Sequence, residues 1–318
     1  MSYITKYGSF WGMIPQTSGR IFWVAPSASY TVEGVTYTAS DGNDGLSPER
    51  AVLTLDFAVG LTTANVGDVI VLLPGDHSWA ASVALDVAGI TITGLPGGRG
   101  NPQFMRTSIT TSAADQIINV TAANCEIAYL RIIPVTAQTA IDYTAAADQL
   151  FIHHCSFDMN TPAVNVATRG IFPTTPIIIV DRLTVYDCFF ESDGAQGEAI
   201  SPGDGTGYDF RNNTFICTAG TWALVALCTG LTTQTGSWIG NHFICQGGTA
   251  ITKAISGGNL TKANAVYAAY NNASLACTML FDDWTASDIS MIENYHASGG
   301  GSAAVYTVSG GFLEDRLT

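Results

Sequence analysis

Three lysines and seven glutamates are all that 318 residues supply, and only 12% of positions are charged. Strong helix formers are therefore scarce, which excludes a helical bundle or a coiled coil. An apolar content of 47% excludes a disordered chain. Basic residues number 12 against 26 acidic ones, a net charge of −14. Phosphate neutralisation needs clustered Lys and Arg, so no nucleic-acid partner is expected. Apolar runs such as Val69–Leu73 and Ile177–Val180 are far too short to span a bilayer, and no membrane insertion is expected. The opening MSYITKYGSFWGMIPQ lacks the basic start and apolar stretch of an export signal, so a cytoplasmic site of synthesis is expected.

Paired cysteine motifs are missing too. The seven cysteines include no Cys-x-x-Cys spacing, and an odd number in an unexported chain argues against a disulfide framework. Neither a metal nor a cofactor is expected. Cys125, Cys155, Cys188, Cys217, Cys245 and Cys277 instead recur at intervals of 30, 33, 29, 28 and 32 residues, with Cys228 outside the series. That regularity reads as a structural repeat of buried thiols, since free Cys packs as a small hydrophobe.

Thr, Val, Ile, Asn and Gly are abundant, a composition of strands and turns. Five segments align: LFIHHCSFD (150–158), LTVYDCFFE (183–191), YDFRNNTFIC (208–217), SWIGNHFIC (237–245) and ISMIENYH (289–296). Each alternates apolar positions and carries an aromatic: Phe157, Phe190, Phe215, Phe243 and Tyr295. Their spacings are 33, 25, 28 and 52, the last close to two periods. One short alternating strand per period of this length is the signature of a β-solenoid, in which like positions of successive coils stack. Phe157, Phe190, Phe215 and Phe243 are expected to form an aromatic stack, and Asn213 and Asn241 an amide ladder. The competing architecture is an antiparallel sandwich with coincidental spacing.

The start of the solenoid is also legible. In DGNDGLSPERAVLTLDFAVG, Ser47 suits an N-cap, Pro48 the first helical position and Glu49 the first turn. Val52, Leu55 and Val59 make an apolar stripe at helical spacing. A strand then follows between Gly67 and Pro74. The expected result is a helical lid on an exposed solenoid end. SDGNDGLSPERAVLTLDFAVG…GDVIVLLPGDH resembles the N-terminal cap and first coil of right-handed parallel β-helix proteins of the pectate-lyase-like superfamily. The resemblance implies an all-β, single-stranded right-handed parallel β-helix with an N-terminal capping helix. Three parts are expected: an aromatic-rich attachment or capping unit at 1–40, eight or nine coils within 41–300, and a Gly-rich tail or final strand at 301–318. In the first part, Phe10, Trp11, Phe22 and Trp23 are candidate attachment residues, although these aromatics equally suit a plug on the solenoid end.

The superfamily holds polysaccharide lyases, glycoside hydrolases, bacteriophage tailspikes and non-enzymatic virion proteins. Its lyases commonly use a basic proton acceptor and carboxylate-bound calcium. Here the net charge opposes an anionic chain, and Arg182 beside Asp181 and Asp187 reads as a surface ion pair. Hydrolysis needs two facing carboxylates. The candidates are Asp187, Glu191, Asp193 and Glu198, followed by Asp204 and Asp209, although acids in a Gly-rich stretch are ordinarily solvated turns. DGNDG at 41–45 resembles a calcium loop but lacks its remaining ligands, and a turn before the cap helix explains it better. His153 and His154, as neighbours on a strand, are expected on opposite faces and so unable to share one ligand. The chain looks most like the virion branch: a capsid decoration protein, head spike or tail fibre without catalytic activity. Other virion proteins are the expected partners, with a homotrimer by analogy and a host surface glycan as a further contact. The alternative is a tailspike-like glycan depolymerase.

Overall fold

The computed structural model describes residues 17–296 apart from 96–104, 113–115, 135–138, 161–168, 176–179, 194–196, 204, 228–234, 247–248, 257–264, 270, 274–276, 283–288 and 293–294. The candidate residues Phe10, Trp11 and Asp204 lie outside the described residues, as does the 301–318 tail.

The chain winds through three parallel sheets once per coil. Sheet I stacks β1 (Ile21–Val24), β4 (Val69–Leu72), β7 (Thr91–Thr93), β10 (Glu126–Ala128), β13 (Phe151–His153), β16 (Thr184–Tyr186), β18 (Thr206–Arg211), β21 (Thr235–Ile239), β24 (Ala265–Ala269) and β27 (Ile289–Ile292). Sheet II stacks nine strands, from β5 (Gly75–Trp79) through β14 (Ser156–Asp158), β17 (Phe189–Ser192), β19 (Thr214–Cys217) and β22 (His242–Cys245) to β28 (Tyr295–His296). Sheet III runs from β6 (Val83–Leu85) to β15 (Arg169–Pro173), and resumes at β20 (Thr221–Leu227) after an isolated parallel bridge from Ile171 to Ile200. Every pairing between these strands is parallel, so the sandwich alternative falls. Ten strands in sheet I correspond to a stack about 43 Å long at the usual interstrand spacing.

Alternation turns each inward position into a column. In sheet I the column runs Phe22, Ile70, Ile92, Ile127, Ile152, Val185, Phe210, Trp238. In sheet II, Phe157, Phe190, Phe215 and Phe243 stack face to face, with centroids 4.5, 4.9 and 4.9 Å apart and planes within 14°. All of these side chains are buried. The amide ladder follows the corner after sheet I and has a third rung. Asn213 Nδ2 donates to Asn241 Oδ1 (3.1 Å), and Asn241 Nδ2 to Asn271 Oδ1 (2.9 Å). The backbone N–H groups of Cys188, Asn213 and Asn241 donate to the amide oxygen one coil on, at 3.0 Å each. The corner column is thus Leu130, Cys155, Cys188, then Asn213, Asn241 and Asn271. The evenly spaced cysteines do not form one column. Cys125 precedes β10, Cys155 and Cys188 share the corner after sheet I, and Cys217 and Cys245 pair at the far end of sheet II. Their common interval is the coil length. Cys125, Cys155, Cys188 and Cys217 are buried and Cys245 is half-buried, and burial pushes the Cys188 thiol upward.

The N-terminal end departs from expectation in two ways. Ser47 makes no side-chain cap, and Pro48–Arg50 forms a single 3-10 turn. The α-helix, α1, is Leu55–Leu61. Its cap is Thr54, which accepts from the Phe57 N–H, and Thr54 is itself held by Asp41 of the DGNDG turn. Val52 lies outside the helix and bridges to Val24. Leu55, Ala58 and Val59 still enter the main core and cover its end, as a lid must. Ile21–Val24, within the expected 1–40 part, belongs to the β-helix itself, because β1 pairs with β4 as the first strand of sheet I. Phe22 and Trp23 are each only 2% exposed, so neither can serve as an attachment surface. Phe22 faces the main core, while Trp23 packs outward with Val69, Val71 and Leu73 beneath the hairpin β2 (Ser29–Val32) and β3 (Val35–Thr38). Both are interior residues.

Three outcomes are expected. Phe215→Ala should cost roughly 3–5 kcal/mol in urea titrations, as a core aromatic truncation does. Deleting residues 1–40 should destabilise the coils, because it strips β1 from the β4 edge; far-ultraviolet circular dichroism and size exclusion would report it. His77 is buried in β5, its Nε2 on the Leu73 carbonyl at 2.8 Å, and burial pulls its pKa down to about 4. The unfolded chain takes a proton near pH 6.5 while the folded chain does not. Stability should therefore fall by about 3 kcal/mol as pH drops from 6.5 to 4. His77→Ile, which extends the column of Ile109 and Ile132, should flatten that slope.

Candidate functional site

Strands β10, β13 and β16 of sheet I are bounded on both sides by backbone in the left-handed region, and several of their neighbours on one side. On the approach side stand Gly89, Asn124, Gln149 and Arg182, with φ from 58° to 72°, and Gly207, at the like register, lies within β18 with φ of 66°. On the exit side stand Tyr129, His154, Asp187, Asn212 and Gly240, with φ of 55°, 52°, 52°, 53° and 65°. The exit reversal breaks strict alternation. His153 ends β13 on the outer face, and His154, which alternation would send inward, swings out beside it. Their Nδ1 atoms are 2.9 Å apart, so the opposite-face expectation is wrong.

The two imidazoles sit in a cluster drawn from four coils. His153 Nε2 is 2.7 Å from Glu126 Oε1, and Thr91 Oγ1 donates to Glu126 Oε2 at 2.9 Å. His154 Nε2 faces Asp187 Oδ2 at 3.8 Å. Tyr129 stacks on His154 with centroids 4.9 Å apart, and Tyr186 stacks on His153 at 4.8 Å. The remaining ring contacts are edge-on, which gives a four-ring herringbone. His153 is buried; His154, Tyr129, Tyr186, Glu126 and Asp187 are half-buried, and Phe151 beside them is exposed. The hydrogen bond from His153 holds the Glu126 carboxyl below its ordinary range, with Thr91 assisting. Burial, then the neighbouring His153, lowers His154, while Asp187 opposes them. Burial, reinforced by Glu126, raises both tyrosines. Among the described residues no group of three or more His, Cys, Asp or Glu is arranged to hold a metal ion.

The acids singled out in the sequence do not converge. Asp187 joins the cluster at the exit of sheet I. Glu191 lies on β17 in sheet II and accepts from Asn160 Nδ2 at 2.9 Å. Asp193 follows that strand. Glu198, near sheet III, pairs with Arg169 at 3.1 Å. Asp209 is paired with Arg211 and accepts from Ser237 Oγ at 2.6 Å. The Arg182 guanidinium reaches Gln149 at 3.4 Å, not the acids Asp181 and Asp187. Sequence reasoning passed over Glu126, Tyr129 and Tyr186. The signal available was their register, since Tyr129, His154 and Asp187 each stand two before an outward residue of sheet II.

No protein-family model and no curated protein sequence matches the chain. Solved structures do. A pectin methylesterase from Erwinia chrysanthemi matches 94% of this chain and 94% of its own length, with TM-score 0.56 and 12% identity. That from Aspergillus niger matches 96% and 93%, with TM-score 0.55 and 13% identity. The carrot enzyme matches 95% and 91%, with TM-score 0.52 and 13% identity. The chain is a right-handed parallel β-helix. At such identity the likeness is one of fold, and no activity carries over with it.

The Glu126–His153 contact gives a pH test. A carboxyl lowered in the folded state contributes stability at neutral pH and loses it as pH falls through the folded value. Glu126→Gln should therefore destabilise at pH 7 and progressively less toward pH 3, read from urea midpoints at both pH values. An equal penalty at both would show that Glu126 acts by packing alone.

Proposed function

We propose that the chain is a non-enzymatic bacteriophage virion protein, a capsid decoration protein, head spike or tail fibre, that displays its β-helix on the particle. The observation behind the non-enzymatic half is the dispersal of the acids. Glycoside hydrolysis needs one protonated and one ionised carboxylate about 5–10 Å apart across the bond. Here Asp187, Glu191 and Glu198 occupy three different parts of the coil, and Glu191 and Glu198 are held by Asn160 and Arg169. Support for the virion setting is the acidic, Gly-, Thr- and Ala-rich composition, which looks most like the virion branch of the pectate-lyase-like superfamily. Attachment falls to the segment containing Phe10 and Trp11, now that Phe22 and Trp23 are core residues. A homotrimer and contact with a host surface glycan complete this reading by analogy with β-helical spikes.

A second reading, a glycan depolymerase, is favoured by one observation: aromatic rings and the carboxylates of Glu126 and Asp187 share one outer face. Two experiments separate the readings. A protein inventory of purified particles should contain this chain, and Phe10→Ser with Trp11→Ser should remove it from particles while the protein stays folded. Incubation with host surface glycans should release neither reducing ends nor unsaturated products. Cleavage that disappears in Asp187→Asn would establish the depolymerase instead.

A further inference from the structure

The cluster on sheet I has a proton count that leaves one place open. Glu126 has both oxygens occupied, one by Thr91 Oγ1 and one by His153 Nε2. An ionised carboxylate only accepts, so His153 Nε2 carries hydrogen. With both imidazoles neutral, His153 Nδ1 is then an acceptor, and the 2.9 Å contact requires His154 Nδ1 to donate to it. His154 Nε2 is left bare. It looks at Asp187 Oδ2 across 3.8 Å, which is too long for a hydrogen bond and consistent with two acceptors facing each other. Two adjacent acceptors with no donor between them, at a half-exposed position, call for a donor from outside.

We propose that His154 Nε2 and Asp187 Oδ2 form a binding site for the hydroxyls of a neutral carbohydrate, with Tyr129, Tyr186 and Phe151 as its aromatic platform. One hydroxyl, or a vicinal pair, donates to both acceptors while a sugar face packs on a ring. Glu126 and His153 are positioning residues: they fix the tautomer that bares His154 Nε2. The same features reject an acidic sugar, because Glu126, Asp187 and a net charge of −14 repel carboxylates and, among the described residues, no unpaired Lys or Arg is seen to face the site. Proton uptake closes the site. The groups facing His154 are Tyr129, His153, Tyr186 and Asp187, with Glu126 on the far side of His153, so an added proton places N–H on Nε2 and points it at Asp187. Burial and the adjacent His153 keep that proton off at neutral pH. The site goes beyond the display role proposed above and stands whether or not the chain is carried on a particle.

The test is native affinity electrophoresis of the full chain through gels containing dextran, mannan, galactan or xylan, with polygalacturonate as the acidic comparison. Nitrogen-15 spectra of the histidine rings accompany it. At pH 7.5 at least one neutral polysaccharide should retard the protein and polygalacturonate should not. Asparagine tolerates left-handed backbone, so His154→Asn and Asp187→Asn should fold. Each should weaken retardation roughly ten-fold, the scale of one lost hydrogen bond to a charged group. Glu33→Gln, in the remote hairpin turn, should change nothing. Nε2 of His154 should be unprotonated at pH 7.5, and retardation should fade over the pH range in which it gains its proton. The proposal is overturned if no neutral polysaccharide retards the protein, if polygalacturonate retards it as strongly, if the two variants bind as the parent does, or if Nε2 carries hydrogen at pH 7.5.

Discussion

The left-handed residue at the exit of sheet I is the constraint on which the rest of the coil depends. From β10 to β21 the chain leaves sheet I and starts sheet II within two residues, and one reversal of φ achieves this. The conformation costs about 1–2 kcal/mol at a non-glycine position. It recurs at Tyr129, His154, Asp187 and Asn212 because the neighbouring coil offsets it. The N–H of each donates to a carbonyl one coil on: Tyr129 to His153, His154 to Tyr186, Asp187 to Arg211 and Asn212 to Ile239, at 2.9 to 3.3 Å. No corner residue is stable by itself. Each is held by the next, which is why the turn keeps its shape while its side chain varies from Tyr to Gly.

Immediately after that reversal comes the inward corner position, and its occupant follows from what the backbone there needs. In the earlier coils Leu130, Cys155 and Cys188 fill it with apolar volume or a thiol. From Asn213 onward an amide fills it, accepting the N–H of the preceding coil and donating to the next amide and to a sheet I carbonyl. Such a ladder is self-satisfying only when it is continuous. Substituting Asn241 would leave the Asn213 N–H buried without its acceptor, a larger penalty than loss of an exposed hydrogen bond. Side-chain size is settled between neighbouring coils in the same way. Gly236 leaves the space that the Tyr208 ring occupies; a Cβ there would meet it at 2.4 Å.

These dependences explain what could be read from the sequence. Phe157 to Phe243 and Asn213 to Asn241 were visible because an inward column repeats one residue type at the coil interval. The cap was visible as an apolar stripe, yet its N-cap was misplaced: Asp41 reaches Thr54 from 13 residues away, and local capping rules do not see that contact. Phe22 and Trp23 resembled an interface because aromatic density marks interfaces and cores alike. Only pairing with β4 distinguishes the two. The histidine pair failed for a definite reason, since alternation assumes extended backbone and His154 is left-handed. The acids failed because proximity along a coil is not proximity across it. Asp187, Glu191 and Glu198 are close in sequence but pass three different points of the perimeter.

A deeper asymmetry separates the two sides of the wall. Inward positions answer to the coils above and below within the same chain, so any run of apolar residues matched to its own neighbours will stack. The fold therefore survives at 12% identity to a pectin methylesterase. Outward positions carry no such obligation. On sheet I of this chain they hold Thr91, Glu126, His153 and Tyr186, two hydrogen bonds and a ring stack that cross four coils and contribute nothing to the inward columns. A half-buried chain of polar groups that the core does not require, ending on two facing acceptors, is where this β-helix departs from being only a scaffold. Its chemistry is set by tautomer and charge, and neither is constrained by the repeat that builds the wall beneath it.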